Sequence, residues 1–421
     1  MGRKGRQREI ENWQMGGFYD NQGRQQGLWR LNYENFWDLA QIVYAGIYES
    51  GIQTQKWDTV LNNNKIGGGC YDYKGQKKGK WTELHQNFFK CNHSHCDATY
   101  VGQYLEGRKQ GFWQSFFSNK MIGGGIYNDD GQKNGFWVEL SDYLNDLNQI
   151  IYMGTYNDGL PIGIWEVLLI YDKKHTQIGG GAYNDEGKKN GRWVDLCRDW
   201  LNGNKEITLV GEYKNGKKIG LWNTFNWYNQ SIGGGEFEDG IKKGQWVELH
   251  DNWHQKWPQI SYKGIYQNGK KNGRWDTYDN YNAKEKLMLN SYYYLSGGGQ
   301  FKGGIKNGNW IDVHDEWIPN WREITYHGEY CMGKKLGTWK TFEQQDRLIG
   351  GGAFNENGAK NGQWIDADER WNFYSEVIYE GEYRNNKKIG EWKKIDILNG
   401  KNSSLDCEYY NEDGPLIESK L

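Results

Sequence analysis

The densest cluster of reactive side chains in this chain is Cys91-Asn-His93-Ser-His95-Cys96, with His85 a few residues upstream. Thiolate and imidazole are zinc ligands. Zinc sites, however, normally draw paired ligands from two separate loops, and ligands crowded this closely fit a tetrahedron poorly. The cluster sits in a connector longer than its counterparts and reads as an insertion, so no metal site is assigned. His85, His250 and His314 suggest acid–base chemistry, but each stands four residues after a recurring tryptophan, where Ser141, Cys197 and Asp368 stand in other copies. A slot whose chemistry varies from copy to copy is architectural. The recurring Gly-Gly-Gly invites a phosphate loop, yet such a loop needs Gly-Lys-Ser/Thr leading into a helix. Here an aromatic strand residue follows instead. No nucleophile–base pair stands out from the pattern, so the chain is read as non-enzymatic and without a cofactor.

The elements behind these residues are two alternating phrases. The first runs Gly-Gly-Gly-x-Tyr/Phe, a polar turn, then Gly-x-Trp, as in GGGIYNDDGQKNGFW at 123–137 and GGGAFNENGAKNGQW at 350–364. The second runs Tyr-x-Gly-x-Tyr-x-x-Gly-Lys-Lys-x-Gly-x-Trp, as in YKGIYQNGKKNGRW at 262–275. The first phrase closes on Trp29, Trp81, Trp137, Trp193, Trp246, Trp310 and Trp364, the second on Trp57, Trp113, Trp165, Trp222, Trp275, Trp339 and Trp392. Self-similarity at a near-constant period marks a repeat architecture. Each phrase reads as strand, turn, strand. Asn215-Gly216 is a hairpin turn signal because both residues tolerate positive φ, and Gly220 is expected to let the returning strand bend or lie beneath an aromatic. A lone hairpin is marginal in water, so the aromatics must be buried between stacked neighbours.

Composition agrees. With 59 glycines, 30 tyrosines and 23 tryptophans among 421 residues, and only 4 prolines, the chain is built of turns and strands rather than helices. The net charge of −2 gives no bulk affinity for nucleic acid. Six cysteines lack the spacing of a disulfide framework. The first residues, MGRKGRQREI, have no apolar core and do not read as a secretory signal, and Arg6 stands where a myristoylation motif needs Ser or Thr. The expectation is an intracellular, cytoplasmic protein.

The second phrase resembles the MORN repeat. Tyr262, Gly264, Tyr266, Gly269 and Gly273 fall on that family's pattern in register, as do Tyr379, Gly381, Tyr383 and Gly390. Trp275 and Trp392 stand where the family's last glycine belongs, an ending more similar to related bacterial repeats described as antitoxin-like. The resemblance implies an all-β fold, an elongated twisted antiparallel sheet of about fourteen stacked β-hairpins. It divides the chain into a basic tail at 1–14, a repeat array at 15–392 and a degenerate capping segment at 393–421. It also implies a scaffold for protein partners in cytoskeletal or ciliary assemblies, with an anionic-phospholipid module at a membrane–cytoskeleton junction and a bacterial antitoxin-like protein as alternatives.

Two rims are candidates for binding. Lys188, Lys189, Lys217, Lys218, Lys270, Lys271, Lys334 and Lys335 lie in the turns, where stacking would align them into a ridge for anionic lipid or an acidic protein tail; equally, lysine simply suits solvated turns. The connectors carry an acid two residues after the closing tryptophan (Glu83, Glu139, Asp195, Glu248, Asp312, Asp366; Leu31 in the first copy) and a large apolar residue seven after it. Phe36, Phe88, Trp200, Trp253, Trp317 and Trp371 would form an exposed rim that grips a partner, or would fold back to cover apolar neighbours one and three residues after the tryptophan. Open sheet ends leave room for oligomers.

Overall fold

The computed structural model describes residues 15–34, 36, 40–89, 96–142, 144, 149–171, 174–197, 206–253, 259–279, 294–315, 323–344, 346–369, 371–372, 375–398, 403–411 and 414–416. Among them are thirty strands and no α-helix. The chain divides into two compact units, Met1–Trp193 and Val194–Leu421.

In the first unit each strand pairs antiparallel with its neighbours in sequence, from Gly16–Tyr19 against Gln25–Asn32 through to Leu160–Tyr171 against Lys174–Tyr183. The second unit repeats the scheme, from Thr208–Lys214 against Lys217–Phe225 to Ser403–Asn411 against Gly414–Leu416. Nothing closes either series on itself among the described residues. The segment after Trp392 thus adds strands to the sheet of its unit.

The turns follow their residues. Asn215 and Gly216 both take positive φ, 49° and 83°, the geometry of a two-residue hairpin turn whose twist matches its strands. In the first phrase a longer turn is held by one side chain: Asn128 Oδ1 accepts the amide of Gln132, as Asn184 and Asn355 do for Lys188 and Ala359.

The core is a layer of edge-to-face rings. In the first unit Tyr104, Trp113, Tyr127, Trp137 and Tyr156 alternate at centroid distances of 5.3, 6.0, 4.9 and 6.2 Å; Tyr266, Trp275, Phe301, Trp310 and Tyr330 do the same in the second at 5.3, 6.1, 4.9 and 6.0 Å. Each tryptophan lies flat on a glycine of the preceding strand. A Cβ on Gly299 would come 2.4 Å from the Trp310 ring, and one on Gly125 2.2 Å from Trp137, so only glycine admits the indole there. The indole N–H donates to a backbone carbonyl, Trp310 to Gln300 at 3.0 Å, which satisfies the one polar group of the buried ring.

The middle glycine of each triplet has a different reason. Gly298 has φ 122°, and its Cβ would lie 2.2 Å from the Trp275 carbonyl oxygen. Gly220 is corrected on one count. It bends the strand at φ 62°, but open space surrounds its Cβ position; the glycine beneath Trp222 is Gly211.

Candidate functional site

On the tryptophan side of the sheet, a lysine stands four residues before the closing tryptophan in eleven of the fourteen phrases, with Gln25, Gln53 and Pro161 in the others. Period-two alternation puts that lysine, the tryptophan and the acid two residues later on one face. The ammonium groups lie over the indoles: Lys109 is 4.1 Å from the Trp113 centroid, Lys271 4.3 Å from Trp275, Lys306 4.4 Å from Trp310 and Lys335 4.2 Å from Trp339. Such contacts contribute roughly 0.5–2 kcal/mol each according to desolvation. Lys271 also reaches Phe301 at 5.5 Å, towards Lys306.

In three repeats a single carboxylate is seen to serve two lysines. Asp312 pairs with Lys306 at 2.6 Å and Lys335 at 3.9 Å, and accepts the Tyr330 hydroxyl at 2.7 Å. Glu248 pairs with Lys242 and with Lys271 (2.8 Å) and accepts Tyr266. Glu83 likewise pairs with Lys77 and Lys109 and accepts Tyr104. Burial opposes ionisation of Glu83 and Glu248, but the paired lysines outweigh it and hold both carboxyls below the usual range. Burial lowers Lys133 and Lys335, and neighbouring lysines (Lys109 for the first, Lys306 and Lys360 for the second) push the same way.

Between successive lysines the face opens into cavities of one construction. The cavity at Lys271 and Lys306, of about 530 Å³, is lined by Trp275, Thr277, Phe301, Trp310 and Lys335, with Asp312, His314 and Asp315 towards its connector end. Its counterpart at Lys109 and Lys133, about 410 Å³, has Trp113, Ser115, Tyr127 and Trp137, with Glu139, Ser141 and Asp142. The third, at Lys335 and Lys360, about 640 Å³, adds Lys388 but also Asp366, Asp368, Glu369 and Glu408.

The lysines expected to form one ridge separate into two sets. In each pair one lysine is inside: Lys189, Lys218, Lys271 and Lys335 lie over rings, while Lys188, Lys217, Lys270 and Lys334 are exposed on the turns. The reason is strand parity, since consecutive residues point to opposite faces.

The aromatic rim is corrected. Phe88 is 4% exposed, Trp253 3% and Trp371 0%, so these three are core; Phe36 alone is open, at 40%. Trp200 and Trp317 lie outside the described residues. The connector folds back because the residue four after the tryptophan takes an amide three further on: Phe88 donates to the His85 carbonyl, Trp253 to His250 and Trp371 to Asp368. Phe88 then packs with Tyr33, Ile42 and Leu84, and Trp371 with Ile324, Ile349 and Ile378. His85 and His250 are structural here, each ring Nδ1 accepting the amide two residues on.

Of the Cys91–Cys96 cluster, Cys91, His93 and His95 lie outside the described residues; Cys96 is buried, with Sγ 3.7 Å from His85 Nδ1. Among the described residues no group of three or more metal-ligating side chains converges. No helix among them is long and apolar enough to cross a membrane. The cavities themselves escaped the sequence reading. Their signal is a lysine at a fixed step before tryptophan, which by itself is indistinguishable from the composition of a solvated turn.

No protein-family model matches the chain, and no curated protein matches it either.

Proposed function

We propose that the chain is a non-enzymatic, MORN-like repeat scaffold that binds protein partners, with a cytoskeletal or ciliary assembly as its setting. The observation that carries this reading is the recurrence of one kind of cavity, with lysines, tryptophans and an acid in register, at Lys271 and Lys306 and again at Lys335 and Lys360 in the second unit, and at Lys109 and Lys133 within the first. A surface repeated in this way suits an elongated partner, which gains affinity from several weak contacts at once. The rigid Gly–Trp floor favours it further, because a preorganised surface costs little to order on binding.

The test is the location of the tagged, endogenously expressed protein before and after mild detergent extraction. Retention on cilia, basal bodies or the cell cortex is the expected result. Release into the detergent-soluble membrane fraction would overturn it in favour of anionic lipid held by the exposed lysines Lys188, Lys217, Lys270 and Lys334.

A further inference from the structure

We infer that the cavity between Lys271 and Lys306 is a seat for a carboxylate of an acidic polypeptide segment, an inference that rests on the scaffold reading and names the chemistry of its partner. Three lysines line this cavity, Lys271, Lys306 and Lys335, against Asp312 and Asp315. The two carboxylates do not cancel the seat. Asp312 is engaged by Lys306, Lys335 and the Tyr330 hydroxyl, and Asp315 marks the connector end, away from the turns. Lys271 and Lys306 flank Phe301, with Lys271 over both Trp275 and Phe301 and Lys306 over Trp310. Neither has its own acid: Lys271 shares Glu248 with Lys242, and Lys306 shares Asp312 with Lys335. An entering carboxylate would accept from both ammonium groups above an aromatic floor, where charge-assisted bonds are strongest. Burial, with Lys306 and Lys360 behind it, lowers Lys335 at the same cavity although Asp312 and Asp315 pull the other way, and a further anion would offset the remaining shift.

The other two cavities point to a local carboxylate rather than a continuous polyanion. The one at Lys109 and Lys133 sets two lysines against Glu139 and Asp142. The one at Lys335 and Lys360 sets three against Asp366, Asp368, Glu369 and Glu408. A nucleic-acid strand, with a phosphate about every 3.4 Å, would be carried onto that acid-rich neighbour. A polypeptide can place an acidic residue at one seat and a neutral or basic residue at the next.

The experiment is fluorescence anisotropy on the full chain, with a labelled glutamate-rich peptide, its glutamine counterpart and, as competitors, inorganic phosphate, an oligothymidylate and phosphatidylserine vesicles. The seat variant is Lys271→Gln/Lys306→Gln. Glutamine already occupies the same slot at Gln25 and Gln53, and a single cooperative urea transition, with the variant fully folded at the assay condition, certifies the fold even where the midpoint falls. The control is Lys270→Gln/Lys334→Gln, an equal charge loss on the exposed turns. The expected result is a preference for the glutamate peptide, weakened about 10-fold or more by the seat variant and less than about 3-fold by the control. Equal binding of the glutamine peptide, equal loss in both variants, or displacement by phosphate, oligothymidylate or vesicles in preference to the peptide would overturn the seat. If the seat variant binds normally while the tagged protein stays in the detergent-resistant fraction, the seat fails and the scaffold stands. If the tagged protein is extracted while the seat variant still loses the peptide, the scaffold setting fails and the seat stands.

Discussion

The cavity at Lys109 and Lys133 in the first unit and the one at Lys271 and Lys306 in the second are the same object at most positions. Trp113 answers to Trp275, Ser115 to Thr277, Tyr127 to Phe301, Trp137 to Trp310, Glu139 to Asp312 and Asp142 to Asp315. They part at two slots: His314 stands in the second cavity where Ser141 stands in the first, and the next hairpin supplies Lys335 to the second cavity, whereas the first repeat has Pro161 there. The opposite face differs in the converse sense. In the first unit Phe112, Ile126, Phe136 and Ile164 are exposed apolar residues, with Phe112 directly opposite Ile126. In the second, Leu221 and Ile265 apart, matching positions include Arg274, Gln300, Asn309 and Thr338. The lesson is a division of labour within the repeat. Glycine and tryptophan hold the architecture constant, and single positions around them tune charge and apolarity unit by unit.

The shared floor gives a large effect that both units should feel. Gly125→Val and Gly299→Val should each cost about 3 kcal/mol, because the new side chain meets an indole that has nowhere to move. Urea unfolding of both variants checks it; a mild effect in one unit alone would break the equivalence. Gly135→Ala and Gly308→Ala, at φ 71° and 72° with open space around them, should cost only about 1 kcal/mol through backbone strain.

The connectors sharpen the comparison next. Trp371→Ala should destabilise by about 3–5 kcal/mol, as expected of a fully buried ring, and Phe36→Ala by less than about 1 kcal/mol at its open site. Urea midpoints again decide. A smaller effect is expected at the shared acid: Asp312→Asn, which strands two lysines and a tyrosine, should cost about 1–2 kcal/mol, and Glu139→Gln less, since it holds only Lys133 and Tyr156.

Acid should act on both units alike. Glu83 and Glu248 have folded pKa values below the unfolded value of about 4.3. The unfolded chain therefore binds their protons first as pH falls. Their contribution is fully present above that value and is lost as pH falls through the depressed folded value. The urea midpoint should drop below about pH 4, and Glu248→Gln should blunt that drop. The smallest expected effect on stability is that of Pro161→Lys, within about 0.5 kcal/mol. It would sharpen the comparison most directly, by giving the cavity at Lys109 and Lys133 the lysine it lacks. Tighter binding of the glutamate peptide there, measured by anisotropy, is the expected gain.

Much of the fold was legible because its signals are local. Asn215-Gly216 announces a turn through backbone sterics alone, and the alternation of Gly264 with Tyr266 announces a strand whose aromatic needs a neighbour. The fate of Phe88 and Trp371 was not legible, because burial in a connector depends on residues from the preceding repeat, Ile42 and Ile324 among them. Nor was the split of each Lys-Lys pair, since which of two adjacent lysines turns inward depends on the turn's register against the tryptophan.

The sequence by itself determined the all-β class, the hairpins and their period, because turn geometry and period-two alternation are properties of short stretches of chain. Only the tertiary structure decided which glycine lies beneath an indole, which lysine covers it, and that one carboxylate is shared between successive hairpins. The glycine–indole contact and the sharing of the carboxylate join residues from neighbouring strands and are set by how the strands pair, while the lysine lies on the indole's own strand, turned to its face by the register of the turn.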